Sequence, residues 1–148
     1  MTAIRTPDLQ RALADYTGTL GFRCLQQVPG VWAWLTQGSL HLQLWAFGAT
    51  PGRWERADPE VGRFQPEHHS VAVMRIHALH ASVSRALRAS GRSDRLDGEG
   101  LQLMPWGAWE FAFRDGDGHV IHCVDWGLVP VSVSARTGRA AGPSAGCA

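Results

Sequence analysis

The stretch Pro105–Trp126, PWGAWEFAFRDGDGHVIHCVDW, decides the fold. Trp109, Phe111 and Phe113 alternate with Ala108, Glu110, Ala112 and Arg114. That period of two predicts a strand with two unlike faces. Asp115-Gly116-Asp117-Gly118 supplies residues that tolerate positive φ, so the chain can reverse there. On the return strand Val120, His122, Val124 and Trp126 share one face. A histidine between valines in mid-strand is an unusual side chain to point at a core, and it draws attention to whatever surface that face meets.

Working outward, the first half repeats the arrangement. Val31–Thr36 reads as a strand with Trp32 and Trp34 on one face. Gln37-Gly38 turns the chain into Ser39–Phe47, where Leu40, Leu42 and Leu44 alternate with His41, Gln43 and Trp45. The leucines suit a helix-covered face, which sends His41, Gln43 and Trp45 the other way. Upstream, Ala3–Thr6 is a short strand. Asp8 is a candidate N-cap for a helix carrying Leu9, Leu13, Tyr16 and Leu20, stopped at Gly21 and followed by a strand over Phe22–Val28. In the second half, His68–Met74 predicts a strand, Ile76–Ser90 an amphipathic helix ended by Gly91, and Leu101–Leu103 a short strand. Both halves therefore read strand, helix, three strands, as an internal duplication would. The boundary falls in the Gly- and Pro-containing linker 48–67, between a first half over residues 1–47 and a second over 68–127. The Gly/Ala/Ser-rich tail, 128–148, is expected to be disordered.

Composition narrows the class. The 148 residues suit one domain or two tightly packed halves. Charged residues make up 18% and the net charge is +1 with no run of one sign, so neither a nucleic acid nor a membrane surface is an expected partner. All basic side chains are Arg and no Lys occurs, a bias ascribed to a GC-rich coding sequence. Three cysteines make no disulfide framework or metal-ligand spacing; Cys24 and Cys123 lie in apolar strand contexts and are expected in the core. MTAIRTPDLQ lacks the apolar segment of a secretory signal, so a cytoplasmic location is expected. Seven Trp against one Tyr is the more useful departure, because indole supplies large flat apolar area for a core or a ligand pocket.

Three stretches together resemble the vicinal oxygen chelate superfamily, the glyoxalase/bleomycin-resistance/extradiol-dioxygenase group. They are Asp8-Leu9 through Tyr16 to Leu20-Gly21-Phe22; His69-Ser70-Val71-Ala72-Val73; and Trp106-Gly107 through Glu110-Phe111 and Asp115–Gly118 to Val124. The resemblance spans about residues 3–127 and implies an α+β fold: paired βαβββ modules forming a curved mixed sheet, with a concave cavity and helices on the outer face, in a chain that forms a homodimer. Metal-dependent members place inward ligands on four equivalent strands. Carried over, those positions fall on Gln43, His69 and His122, with the first near Met1 or Thr2, neither a convincing ligand. The last is usually Glu in the metal enzymes and is His122 here. The turn reads DGDG where the metal enzymes usually have DPDG, which leaves its turn chemistry intact.

Two functions follow. The first is a small-molecule binding protein of the bleomycin-resistance type, with no cofactor, that sequesters a drug-like or aromatic ligand at a cavity lined by Trp32, Trp34, His41, Gln43, Trp45, Trp109, Phe111 and His122. The alternative is a metal-dependent lyase, isomerase or dioxygenase in which His69, His122 and Gln43 hold one divalent ion, Zn, Fe, Ni or Mn, as a Lewis acid. Against both stands a plainer role for His69 and His122, as neutral histidines hydrogen-bonded at the core edge. His77, His80 and His119 are expected in solvent. No nucleophile elbow or phosphate loop occurs.

Overall fold

The computed structural model describes residues 1–47 and 64–127. Two four-stranded mixed sheets, each with one α-helix, make up most of the described residues. In the first module the elements are β1 (Thr2–Thr6), α1 (Leu9–Ala14), β2 (Arg23–Val28), β3 (Trp32–Gln37) and β4 (Leu40–Ala46). In the second they are β5 (His68–Ala72), α2 (Ile76–Ala89), β6 (Leu96–Leu103), β7 (Trp109–Arg114) and β8 (Val120–Asp125). The sheet orders are β1-β4-β3-β2 and β5-β8-β7-β6, so the second module repeats the first strand for strand. In each, the opening strand pairs parallel with the last and the other pairs are antiparallel. The expected βαβββ modules are present, with hydrogen bonding confined to two separate sheets. Most of the linker, 48–63, and the tail, 128–148, lie outside the described residues.

Alternation fixes what each sheet buries. In the first, Ile4, Ala33, Leu35, Leu40, Leu42 and Leu44 are fully buried. In the second, Phe111, Phe113, Ile121 and Cys123 are buried. All ten belong to one core, together with Leu9, Ala12 and Tyr16 of the first helical segment and Ile76, Leu79, Val83 and Leu87 of α2. The helix-side faces of the two sheets thus share a single apolar interior, worth about 1.5–3 kcal/mol for each fully buried large side chain. Each sheet turns its other face away from that interior. Among the described residues, no helix is long and apolar enough to cross a membrane.

The last hairpin turn of each module grips the helical segment of the other. After α1 the chain makes one turn of π-helix, Asp15–Thr19, with Leu20 N donating to Asp15 O. Tyr16 Oη donates to Asp115 Oδ2 at 2.8 Å, and Gly116 N donates to Asp15 Oδ2 at 2.9 Å, both on the β7–β8 turn. Asp15 also takes Arg95 Nη1 at 2.6 Å. On the opposite side, Gln37 Nε2 of the β3–β4 turn donates to Ser82 Oγ of α2 at 2.8 Å, and Ser39 Oγ exchanges two hydrogen bonds with the backbone of Met74. Gly21, at φ +79°, lies where a Cβ would stand 2.9 Å from Ala86 Cβ of α2, so only glycine fits both the turn and the contact.

Candidate functional site

The outward face of the first sheet is aromatic. Pairing sets Trp32 opposite Trp45, Trp34 opposite Gln43, Thr36 opposite His41, and Ala3 and Arg5 of β1 opposite Gln43 and Trp45. All therefore lie on the side away from the leucines. The Trp32 and Trp45 rings lie 6.1 Å apart at 51°, and the Trp34 and His41 rings 6.0 Å apart at 47°. Trp45 Nε1 donates to Gln43 Oε1 at 3.2 Å, and Trp34 Nε1 donates to His41 Nδ1 at 3.3 Å. Trp32 Nε1 is buried with no hydrogen-bond partner. The expected grouping of Trp32, Trp34, His41, Gln43 and Trp45 on one face is what the backbone produces.

The outward face of the second sheet is polar and ionisable. His122 pairs with Ala112 on one side and Ser70 on the other, while His68 pairs with Val120 and Glu110 with Val124. The Glu110 carboxylate is almost fully buried, at 4% exposure. Its Oε1 lies 2.6 Å from His122 Nε2, and its Oε2 accepts the Trp106 indole N–H at 2.6 Å. A buried carboxylate needs such partners, because burying it unpaired costs several kcal/mol. The contact with Glu110 puts a proton on His122 Nε2 and, in the neutral ring, leaves the Nδ1 lone pair unprotonated. The His68 ring lies 5.6 Å from the His122 ring, centroid to centroid.

The residues predicted from sequence do not all meet. Trp109 and Phe111 sit on the core side of β7, opposite in sense to His122, with Phe111 buried. His69 likewise faces the core from β5 and shares no face with His122. Its ring lies 5.5 Å from that of His119, and its Nε2 is 3.4 Å from Glu67 Oε2 without forming a hydrogen bond. Burial lowers the His69 pKa, and Glu67 only partly offsets this. The trio His69, His122 and Gln43 is therefore split between opposite sides of the second sheet and a different sheet, with Gln43 Oε1 already accepting from Trp45.

Of the three histidines expected in solvent, only His77 is exposed, and its ring still lies against an aromatic neighbour. His119 is fully buried. His77 packs edge-on to Trp109 at 4.6 Å, and His80 to Phe111 at 5.0 Å. Burial lowers the His80 pKa, with a smaller push from His77. Sequence reasoning missed Glu110, Trp106 and His68. The signal was in the turn: five residues, Asp115–His119, separate β7 from β8, and an odd loop pairs even positions with even ones, so Glu110 follows His122.

Asp115, Asp117 and His119 form the one group of three potential ligands, among the described residues, whose donor atoms lie within 4.8 Å of one another. Their electrons are already engaged. His119 Nδ1 accepts from Glu67 N at 2.9 Å, and its Nε2 is 2.7 Å from Arg5 O, where it can only donate. Asp117 holds Thr6 and Arg11, and Asp115 holds Tyr16 and two backbone amides. Burial raises both the Tyr16 phenol, further held up by the neighbouring acids, and the Asp115 carboxyl. The cluster fits a clasp between modules and does not fit a metal. Burial also pushes the Cys123 thiol up to about 12, which leaves it unreactive.

The model of the Glyoxalase/Bleomycin resistance protein/Dioxygenase superfamily matches residues 1–123. The chain belongs to that superfamily. Solved structures of similar fold include a lactoylglutathione lyase from Agrobacterium tumefaciens, 20% identical over 86% of this chain and 96% of the other, TM-score 0.56. TioX from Micromonospora sp. ML1 is 20% identical over 87% and 96%, TM-score 0.56. A bleomycin resistance determinant encoded on the transposon Tn5 is 22% identical over 86% and 98%, TM-score 0.55. At such identities the likeness of this superfamily member to each is one of fold. No curated protein matches the chain.

Proposed function

We propose that this superfamily member binds a flat, drug-like or aromatic small molecule and acts by sequestering it, with two copies pairing so that the outward faces of their sheets enclose the ligand. The observation that carries this reading is the set of three indoles on the outward face of the first sheet, with the Trp32 Nε1 donor unspent. Planar indole surface with convergent polar groups is how apolar ligands are bound and oriented. A bleomycin-binding protein solved with bleomycin has a similar fold, TM-score 0.51 at 20% identity, which lends the drug-binding reading further support. The metal-dependent alternative has less, because His69 and His122 lie on opposite faces.

The test is tryptophan fluorescence titrated with bleomycin and, separately, with 4-nitroanisole as a plain planar probe. Saturable quenching is expected from at least one, weakened at least about tenfold, or about 1.4 kcal/mol, in Trp34→Ala. Absence of quenching by both, together with turnover that follows an added divalent metal, would replace sequestration by the enzymatic reading.

A further inference from the structure

We propose that His122, held by Glu110, takes a proton from an acidic hydroxyl on the bound ligand, so that the ligand class is a phenol or enol bound as its anion; the inference rests on the binding reading above. Four observations converge. Glu110 is almost fully buried, and each of its oxygens has a partner, Oε1 with His122 and Oε2 with Trp106. This fixes the imidazole with Nε2–H toward the carboxylate. The His122 side chain keeps 28% of its surface open, and its Nδ1 makes no hydrogen bond among the described residues. Its directly paired neighbours on that face, Ala112 and Ser70, are both small, and the larger ring beside it is that of His68, 5.6 Å away.

Such a carboxylate–imidazole pair is built to accept a proton. When a ligand O–H meets Nδ1, the O–H bond breaks and its electron pair stays on oxygen. The proton bonds to the Nδ1 lone pair. The resulting imidazolium keeps its Nε2–H on Glu110, whose negative charge compensates the new positive one. Charge also selects the ligand. A carboxylic acid arrives already ionised and meets a buried carboxylate behind the histidine, whereas an aliphatic alcohol is too weak an acid for imidazole. Phenols and enols lie between, and phenols are planar, as the indole face requires. The other charged or titratable groups on this face, among the described residues, are His68 of β5, Arg114 of β7 and Asp97 of β6, which is exposed and paired with Ala112; Arg114 Nη2 is turned to the Asp94 carbonyl.

Two probes that differ only in this hydroxyl separate the outcomes. The full-length protein, His122→Phe and Glu110→Gln are titrated with 4-nitrophenol and 4-nitroanisole, following indole quenching and, for the phenol, nitrophenolate absorbance from pH 5 to 9. Both probes are expected to quench. The ionisation midpoint of bound 4-nitrophenol should fall by about one pH unit, a tenfold gain in phenolate. His122→Phe should abolish that shift and Glu110→Gln, which can still bond His122, should reduce it, while quenching by 4-nitroanisole, read in each variant, reports whether its binding face survives the substitution. A phenol that binds with its solution midpoint, or a shift that survives in His122→Phe, overturns the proton transfer and leaves the binding site standing. Quenching by the ether but not the phenol overturns the ligand class. Failure of both probes and of bleomycin removes the binding reading as well.

Discussion

The two modules share one topology and differ in the face each turns from the core. The first offers Trp32, Trp34 and Trp45 around His41 and Gln43; the second offers His122, Glu110 and His68. The helix-side faces, in contrast, are interchangeable in kind, leucines in one and phenylalanines in the other. A duplicated scaffold needs two alike inner faces to make one interior, and is free to specialise only on the outer ones.

The largest test of that comparison removes core from either side. Phe113→Ala should cost about 3–5 kcal/mol and Leu42→Ala about 2–5 kcal/mol, each in a single urea transition seen alike by fluorescence and circular dichroism. Two separated transitions would mean that the modules do not share an interior. Gly21→Ala should cost about 2–3 kcal/mol, because it adds a left-handed backbone penalty to a clash with Ala86. Gly38→Ala, at φ +56° with its nearest neighbour, Leu79 Cδ1, 3.9 Å away, should cost only about 1–2 kcal/mol.

The clasps sharpen the comparison further. Tyr16→Phe strands the Asp115 oxygen in a buried site and should cost about 1–3 kcal/mol, whereas Ser39→Ala, at an exposed turn, should cost about 0.5–1.5 kcal/mol. Equal shifts in the urea midpoint would contradict the difference in burial. The smallest effect is in acid. His69 and His80 have lowered pKa values in the native state, so the unfolded chain takes up protons at the ordinary value near 6.5 while the folded chain resists. Stability should therefore fall as pH drops below about 6.5, and His80→Leu should flatten that slope between pH 7.5 and 5.5. The α1 sequence contains no histidine, so the effect belongs to the second helix and sheet.

Much of this was legible in the chain. The leucine stripe Leu40, Leu42, Leu44 has no rival on its own strand, so its burial and the outward course of His41, Gln43 and Trp45 follow from hydrophobicity alone. On β7 and β8, alternation assigns residues to two faces without joining the faces of one strand to those of the next. That join depends on turn length, and a two-residue reversal would have set Phe111 opposite His122. His69 was misread because neighbouring histidines differ only in parity, and parity is decided by the partner strand. His80 and His119 were misread for another reason: imidazole packs against aromatic rings as readily as it meets water, and nothing in their spacing distinguishes the two.

The helices also differ in how they begin. Asp8 caps α1 from the adjoining residue, accepting from Arg11 N at 3.0 Å. α2 starts after Arg75, which holds a left-handed φ of 54° and offers no side-chain cap; Ile76 N donates instead to Asp125 Oδ2, at the end of β8. Considered in the order of synthesis, the first helix has its cap as soon as it leaves the ribosome. The second closes its first turn on Arg75 O but must wait for some fifty further residues before Ile76 N finds its cap, so the last strand also completes the start of the last helix.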